Sequence, residues 1–249
     1  MQTAFESTII FSDGACTGNP GPGGWAAIVT TPDGRVTELG GRNPQTTNNR
    51  MEIVGTLKAM QSLTAPYPWP VTIYTDSTYV IRGITQWVWG WRQRGWKNAE
   101  GGEVSNRDLW EEMMREVGRL KPTAIDWKYV RGHTGVPGNE RCDEIAVAFA
   151  ANKRVNLYHG PLLGYGVAIH DLPEDQGLPE MRPKEKKAPA FSYLSYLGGV
   201  VMRHRDWGSC ERRVKGQSGA KFKKAMSEGD EAEIVKGWGL NPSSTVIKE

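Results

Sequence analysis

Two apolar stretches of the chain each end on an aspartate, and this feature constrains the fold more than any other. The run "TIIFSD" stops at Asp13, and the run "VTIYTD" stops at Asp76. Such β-branched and aromatic runs are typical of buried strands, where a carboxylate without a partner is costly. One aspartate in this position usually caps a turn or the following helix, and that interpretation stays open for each alone. Two on similar strands indicate a shared site.

The first 150 residues alternate between strand and helix patterns. A hairpin turn is predicted at Pro32-Asp33-Gly34 between the second and third strands, and "AIDWKYV" gives a fifth strand. Apolar residues at helical spacing predict helices in "NNRMEIVGTLKAMQSL", "SNRDLWEEMMREVGRL" and "NERCDEIAVAFAANK". Ser105 and Asn139 are the expected caps of the last two helices. The pattern predicts a mixed α/β sheet with an antiparallel edge.

Composition excludes several classes of protein. The 249 residues are 38% hydrophobic and 24% charged, which is typical of a globular protein rather than a disordered one. No apolar run is long enough for a membrane span, and no secretory signal is evident at the N-terminus. The cysteines Cys16, Cys142 and Cys210 are widely spaced and form no CxxC pair. We therefore expect no disulfide framework or zinc site, and a cytoplasmic location.

The chain divides into three regions by composition. Residues 1–153 are predicted to form the main domain, and residues 154–189 an extension followed by a flexible linker, because 171–189 is rich in proline and charge. Residues 190–249 are predicted to form a small domain, with two strands around Gly198-Gly199, a helix, a third strand and a last helix.

Positive charge is concentrated near the C-terminus. Residues 1–153 contain 16 Lys and Arg and 16 Asp and Glu, whereas residues 191–224 contain eight basic residues and two acidic ones. This excess favours a polyanionic partner, and an ordinary solvated basic face is the alternative.

Two further acids stand beside apolar stripes on predicted helices, Glu52 and Asp143. Together with Asp13 and Asp76 they can converge on one cleft, where four carboxylates repel one another unless cations neutralise them. Oxygen ligands suit Mg²⁺ or Mn²⁺, and two such ions close together support in-line hydrolysis of a phosphodiester. The spacing therefore indicates a metal-dependent nuclease site.

Four blocks of the sequence carry a family resemblance: "SDGACTGNPGPGGWAAIV", "TTNNRMEIVGTLKAM", "TDSTYV" and "RGHTGVPGNERCDEIA". In order and spacing they resemble bacterial type I ribonuclease H over about residues 7–153. The resemblance implies a mixed five-stranded sheet with flanking helices and two Mg²⁺ ions, with Mn²⁺ as a substitute. It implies the metal-binding carboxylates Asp13, Glu52, Asp76 and Asp143. It also makes His133 the catalytic histidine of a mobile loop, with a plain surface histidine as the alternative.

The same resemblance implies a substrate, the RNA/DNA hybrid, and residues that contact it. Those matching the RNA-contacting positions are Gly14, Cys16, Asn48 and Asn49. Asn19 and Thr47 match a pocket for a DNA phosphate. The chain departs from the family at Gln45, where relatives often have Arg, and at Thr78, where many have Gln.

The stretch "QWVWGWRQRGWK" interleaves tryptophans with cations. It resembles the basic protrusion of the family, which implies that Trp87, Trp91, Arg92 and Arg94 contact the DNA strand. Helix core with a basic outer face is the alternative. Trp89 is expected to be core or to fill a surface patch.

The C-terminal region has a second resemblance, carried by "RDWGSCERRVKGQSGAKFKKAMSEGDEAEIV". This stretch is similar to the hybrid-binding domain of eukaryotic ribonucleases H and viroplasmin-like proteins, a ββαβα unit. The resemblance implies a hybrid-binding surface of Trp207, Phe222, Lys223 and Lys224. An accessory domain that binds protein is the alternative.

The predicted activity is hydrolysis of the RNA strand of RNA/DNA hybrids, leaving 5′-phosphate and 3′-hydroxyl ends. Two alternatives remain, an enzyme of the same fold with another substrate and a protein of a different class. A transposase or resolvase would use a four-acid core on DNA, and a binding protein would carry an inactive core. The RNA-contacting motifs disfavour the first, and the complete set of acids with His133 disfavours the second.

Overall fold

The computed structural model describes residues 6–173, 177–180, 189–243 and 247–248. Within those ranges, no helix is both long and apolar enough to cross a membrane. The chain forms two compact units, Met1–Glu180 and Met181–Glu249. Much of the stretch predicted as a linker, residues 174–176 and 181–188, lies outside the described residues.

The first unit is a mixed sheet with helices on both faces. Its described strands are β1 (Thr8–Cys16), β2 (Gly21–Thr31), β3 (Arg35–Thr46), β4 (Val71–Thr75), β5 (Ile125–Tyr129) and β6 (His159–Pro161). Its described α-helices are α1 (Asn48–Gln61), α2 (Thr78–Arg82), α3 (Val88–Gln93), α4 (Arg107–Arg119) and α5 (Pro137–Ala150). The strand order is β5-β4-β1-β2-β3-β6.

Strand alternation gives this sheet two separate apolar faces. Ile10 of β1 packs in one core with Ile53 of α1 and Trp110 of α4. Its neighbour Phe11 packs in the other core with Ile145 of α5. Strand β1 therefore lies at the centre of the unit, antiparallel to β2 and parallel to β4.

The sheet has six described strands, so the expected five-stranded sheet is wrong by one. Strand β6 pairs antiparallel with β3, from Arg35 opposite Pro161 to Thr37 opposite His159. Its three residues are too short to show an alternating pattern, and glycine and proline interrupt the surrounding apolar pieces. Only pairing with β3 identifies them as a strand.

Both predicted caps are one or more residues away from their expected positions. Helix α4 begins after Asn106, which has a left-handed φ of 60°, and not after Ser105. Helix α5 begins at Pro137, a residue well suited to a first helical position. The expected cap Asn139 is therefore buried inside the first turn of α5.

The tryptophan-rich stretch is helical but irregular. A π-helical turn, Gly83–Trp87, joins α2 to α3. A side chain on Gly83 would come within 2.1 Å of Trp110, so only glycine allows α4 to pack this closely. Trp89 lies on the outer side with 55% of its surface exposed, which agrees with the surface patch and not with the core among its two expected places.

The second unit has its own sheet and its own core. Its described elements are β7 (Ser192–Leu197), β8 (Val200–His204), α6 (Trp207–Val214), β9 (Lys221–Ala225), α7 (Glu228–Gly237) and β10 (Ile247–Lys248). The sheet order is β10-β8-β7-β9. Gly198 and Gly199, both with positive φ, form the tight turn between β7 and β8. A second sheet-containing domain is thus confirmed, with a short fourth strand beyond the predicted three.

Close packing of β2 against α5 generates a test of this fold. A Cβ on Gly24 would lie 2.1 Å from the carbonyl oxygen of Ala146, whereas a Cβ on Gly118 of α4 would meet nothing within 4 Å. We expect Gly24→Ala to lower the free energy of unfolding by about 2 kcal/mol or more, because the strand and helix must separate. Gly118→Ala is the matched control and should raise it by about 0.5 kcal/mol through helix propensity. Urea unfolding measures both, and equal effects would contradict this packing.

Candidate active site

Asp13 and Asp76 lie side by side because of the parallel pairing of β1 and β4. Asp76 directly follows β4 as predicted, whereas β1 continues past Asp13 to Cys16. Phe11 pairs with Tyr74, so Asp13 and Asp76 each follow two residues later along neighbouring strands. Helix α1 packs directly over this end of β1. A Cβ on Gly14 would lie 2.3 Å from the backbone nitrogen of Glu52, so glycine is what brings the helix and its acid close.

A cavity of about 380 Å³ opens at this edge of the sheet. It brings together all five predicted catalytic residues with three of the predicted substrate-binding residues, Gly14, Cys16 and Asn48. Ala15 also lines it. Glu52 and Asp143 lie in the second turns of α1 and α5.

Two protein donors orient the carboxylate of Glu52. The hydroxyl of Ser77 donates to Oε2 at 2.5 Å, and the amide of Asn48 donates to Oε1 at 2.8 Å. Ser77 is also the N-cap of α2, where its oxygen accepts from the backbone N–H of Val80 at 3.2 Å. Burial raises the pKa of Glu52, the nearby charge of Asp76 raises it further, and these two donors lower it. Sequence reasoning missed Ser77 as a site residue, although it directly follows Asp76.

Asp13 is the most perturbed acid of the cavity. Its pKa is raised to about 8, mainly by burial and further by the charges of Asp76, Asp143 and Glu52. The backbone N–H of Gly14 donates to Oδ1 at 2.7 Å and opposes the rise. A carboxylate in this environment needs a cation nearby to be ionised at neutral pH.

Asn139 holds the second strand-end aspartate. Burial raises the pKa of Asp76, and a hydrogen bond from the Asn139 side chain lowers it. Asn139 is only 3% exposed, and its Oδ1 is buried without a hydrogen-bond partner. Its place four residues before Asp143, on the same face of α5, was the signal that sequence reasoning interpreted only as a cap.

The loop that carries His133 passes directly over Asp76. A Cβ on Gly132 would lie 2.6 Å from Oδ2 of Asp76, so a side chain at this position would displace the carboxylate. His133 itself is exposed and adopts a left-handed φ of 54°. An exposed imidazole on a loop beside the acids is placed to exchange protons with groups in the cavity.

The donor set suits a hard divalent cation. Every carboxylate of the cavity offers oxygen, and repulsion among them is relieved when a cation binds. Among the described residues, no three His, Cys, Asp or Glu side chains form a group that could hold a metal ion as they stand. The oxygens of Glu52 are instead directed to Ser77 and Asn48, which fill part of the role of a cation.

The predicted phosphate pocket lies beside the cavity and is not part of its lining. The backbone N–H of Asn48 donates to the Asn19 side chain at 3.4 Å, which joins that loop to the start of α1. Thr47 is the N-cap of α1, and its hydroxyl makes no capping hydrogen bond. Asn49 is exposed next to it, and Gln45 is exposed at the end of β3.

The predicted protrusion contains an aromatic cluster. The ring centroids of Trp87 and Trp91 are 5.8 Å apart, and Trp91 lies 5.6 Å from Trp110 of the core. Both tryptophans are half-buried, whereas Arg92 and Arg94 are exposed. The cluster thus serves partly as core, and the cations form its outer face.

In the second unit, the predicted binding residues divide between two faces of the sheet. Trp207 and Phe222 contact each other with centroids 5.2 Å apart, and they are 40% and 53% exposed. Lys224 pairs with Tyr193 in the sheet and shares this aromatic face. Lys223 pairs with the buried Leu194, so strand alternation directs its side chain to the opposite face.

Comparison with known families agrees with the geometry of the first unit. The model of the RNase H family matches residues 5–151, more than half of the chain. The chain belongs to the RNase H family. Its enzyme class is therefore ribonuclease H, and this family generally depends on divalent metal ions. Residues after 151 lie outside the match.

Bacterial ribonucleases H are close relatives of the first unit. The Ribonuclease H of Cyanothece sp. (strain PCC 7425 / ATCC 29141) is 49% identical over 152 residues, which are 61% of this chain and 94% of that protein. The Ribonuclease HI of Pseudomonas aeruginosa PAO1 is 47% identical over 141 residues, 57% of this chain and 91% of that protein.

Solved structures show the same fold. LC9-RNase H1, described as a type 1 RNase H with the type 2 active-site motif, is 31% identical with a TM-score of 0.52. The match covers 63% of this chain and 79% of that one. A foamy viral protease-reverse transcriptase matches with a TM-score of 0.50 at 19% identity, over 61% of this chain and 99% of that one, which shows the fold alone.

The perturbed pKa of Asp13 generates a stability prediction. In EDTA at pH 7, we expect Asp13→Asn to raise the free energy of unfolding by about 2 kcal/mol, because a carboxyl group with a pKa of about 8 must take up a proton when the protein folds at this pH, whereas an amide need not. The variant amide oxygen can still accept from the N–H of Gly14. Asp126→Asn, which changes an exposed aspartate of β5, is the control and should change stability by less than about 0.5 kcal/mol. Urea unfolding checks both, and a less stable Asp13→Asn protein would contradict the repulsion.

Proposed function

We propose that the protein hydrolyses the RNA strand of RNA/DNA hybrids and leaves 5′-phosphate and 3′-hydroxyl ends. The observation that carries this proposal is the single cavity lined by Asp13, Glu52, Asp76, His133 and Asp143. Membership of the RNase H family supports the reaction class.

Two Mg²⁺ ions, or Mn²⁺ in their place, would be held by the four carboxylates Asp13, Glu52, Asp76 and Asp143. When bound, such ions supply an activated water and stabilise the leaving oxygen of an in-line displacement. The all-oxygen donor set and the raised pKa of Asp13 both support a divalent cation at this position.

His133 is proposed to move the proton that the reaction requires. Its imidazole is exposed on a loop that Gly132 brings against Asp76, so it can reach the cavity and still exchange protons with water. Glycines at 132 and 135 flank the histidine closely, and Gly135 has a φ of 83°, so the loop can adjust to the substrate.

Discrimination between the two strands is proposed to depend on the RNA 2′-hydroxyl. Gly14, Cys16 and Asn48 line the cavity beside the carboxylates, with Asn49 exposed next to them. Backbone and amide groups can donate to or accept from a 2′-hydroxyl, which DNA lacks. Asn48 also donates to Glu52, so the group that contacts RNA would orient a metal ligand.

The DNA strand is proposed to follow two features outside the cavity. One is the start of α1, where Asn19 and Thr47 would bind a phosphate at the positive end of the helix. The other is the protrusion, where Trp87 and Trp91 would contact sugars and Arg92 and Arg94 would pair with phosphates. Gln45 lacks the charge of an arginine, so this chain would bind the phosphate with one charge-assisted contact fewer.

Cleavage assays with labelled substrates test this function. We expect Mg²⁺-dependent cutting of the RNA strand of a hybrid, and none of duplex DNA, duplex RNA or single strands. Asp76→Asn should reduce hybrid cleavage by at least about 10³-fold because it removes a central ligand, and Asp126→Asn should cut at the normal rate. Near-normal turnover by Asp76→Asn would show that the site is assigned wrongly, and cleavage of duplex DNA would favour the transposase-like alternative.

We further propose that the second unit binds the hybrid through Trp207, Phe222 and Lys224, with Lys223 from the other face of the sheet. The exposed aromatic pair offers stacking and sugar contacts, and the basic excess around it favours phosphates. Because both units belong to one chain, binding by the second would raise the local concentration of substrate at the first.

This binding role predicts an effect on KM and not on turnover. We expect Trp207→Ala to raise the KM for long hybrids by about tenfold, with kcat nearly unchanged, because one stacking contact is lost. Lys224→Ala should raise KM more than Lys223→Ala, since only Lys224 shares the aromatic face. The lysine effects should fade at high salt as phosphates are screened. Unchanged hybrid affinity at low salt for Trp207→Ala would leave the unit as a protein-binding domain.

A further inference from the structure

A buried carboxylate in the first unit lies outside the cavity. Glu38, on β3, is only 4% exposed. It shares the face of the sheet with Gly40, on which a Cβ would contact Phe149 and Ile145 of α5. Glu38 therefore points toward α5, the helix that carries Asp143.

Four donors surround the two oxygens of Glu38. Arg141 of α5 donates from Nε to Oε1 at 2.8 Å and from Nη2 to Oε2 at 3.1 Å. The backbone N–H of Tyr158 donates to Oε2 at 2.9 Å, and the hydroxyl of Tyr165 donates to Oε1 at 2.7 Å. Each oxygen thus accepts twice, which satisfies the usual capacity of a carboxylate.

This pairing keeps the charge of Glu38 in place despite its burial. Burial alone would raise the pKa of Glu38, and the hydrogen bonds from Arg141, Tyr158 and Tyr165 hold it below its usual range. Loss of one partner from such a buried pair leaves the other charge unsatisfied. The two parallel hydrogen bonds from Arg141 fix the orientation of its guanidinium relative to the carboxylate of Glu38, as well as the distance between the two groups.

Two of the four donors come from beyond the part of the chain that matches the RNase H family. Tyr158 and Tyr165 follow residue 151, where the match ends. Their rings contact each other with centroids 4.9 Å apart, and Ile169 farther along is 1% exposed in the same core as Phe11. Residues 155–169, which include β6, therefore form an ordered segment of the first unit; we call it the docked extension.

Arg141 connects this network to the cavity. It lies two residues before Asp143 in the same turn of α5, and the intervening Cys142 is fully buried. A helix is stiff over one turn, so a fork that fixes Arg141 also fixes the rotation and the axial position of that turn.

We propose that Glu38, Arg141 and Tyr165 are positioning residues that set Asp143 for metal binding, and that the docked extension completes the active site from outside the family match. This inference rests on the proposed role of Asp143 as a metal ligand. A purely structural role, in which the network only stabilises the fold, is the competing explanation.

Full-length variants separate the two explanations. Glu38→Gln keeps the shape of the side chain but removes the buried charge that pairs with the guanidinium of Arg141. At a temperature well below the unfolding midpoint of the variant, we expect kcat on a short hybrid to fall about tenfold and KM to stay within about twofold of the unchanged protein. A displacement of the Asp143 carboxylate by well under about 1 Å is enough for this loss of kcat. The dissociation constant for Mg²⁺ without substrate, measured by NMR titration of the Gly14 amide, should rise about fivefold or more.

Glu144→Gln is the matched control, since Glu144 pairs with the same guanidinium at 3.2 Å on the exposed side of α5. It should leave kcat and the Mg²⁺ affinity unchanged. Tyr165→Phe removes one hydroxyl and should change both values in the same direction as Glu38→Gln, by about twofold. If Glu38→Gln does not fold, Tyr165→Phe is the variant that tests the proposal.

A double-variant cycle decides whether the effect passes through Asp143. In the Asp143→Asn background, Glu38→Gln should change the Mg²⁺ affinity by less than about twofold, because its route to the metal is already lost. Full additivity, or a lower unfolding midpoint with unchanged kcat and Mg²⁺ affinity, would overturn the positioning role. Normal cleavage by Asp143→Asn alone would instead overturn the proposed function, so the two failures are distinct.

Discussion

Two carboxylates of equal charge lie on neighbouring parallel strands, Asp13 within β1 and Asp76 directly after β4, where burial and mutual repulsion raise the pKa of Asp13 to about 8. A site of this kind is unfavourable for folding and useful for binding a divalent cation. Once a cation enters, its attraction to each carboxylate outweighs the repulsion between them. Other elements of the first unit pack closely against these acids. Glycines at 14 and 132 let a helix and a loop approach the acids more closely than any side chain would permit.

The fold limits the repulsion with donors placed at the beginnings of helices. Asn48 is the first residue of α1, Ser77 is the N-cap of α2, and Asn139 lies in the first turn of α5. Each donates to an acid of the cavity. The N-terminal ends of α1 and α5 also bring a partial positive charge to this edge of the sheet. The acids can therefore be held close together before any cation binds.

Local patterns predicted the parts of the two units that depend on periodicity and on turn residues. The runs ending at Asp13 and Asp76, the helical stripe beside Glu52 and the turn at Gly198-Gly199 all follow from spacing and turn chemistry. Long-range pairing decided the rest. The strand His159–Pro161 exists only because β3 offers it an edge, and single-residue patterns do not reveal that.

Trp89 and Asn139 show the same limit at single residues. For Trp89 the sequence leaves core and surface patch both open, and the structure has it exposed, in the helix that follows a π-helical turn. Asn139 was expected to cap a helix that in fact begins two residues earlier, at Pro137, and its side chain contacts Asp76 instead. In both cases the residue type was correctly noticed, and the backbone around it decided its role.

The buried acids of the first unit therefore differ in how fully their oxygens are hydrogen-bonded: those of the cavity are of one kind, and Glu38, which faces α5, is of the other. In the cavity, the described donors are the N–H of Gly14 for Asp13 and the side chain of Asn139 for Asp76, and the pKa of both acids stays raised, so a nearby cation would favour their ionised forms. Behind the helix, Glu38 has all four of its acceptor positions filled and keeps its charge without a metal. A carboxylate whose acceptor positions are all filled is held rigidly, whereas carboxylates with unfilled positions can still bind a cation. Because Arg141 and Asp143 share one turn of α5, the Glu38–Arg141 pair fixes the position of that turn, and with it Asp143, relative to the other acids of the cavity.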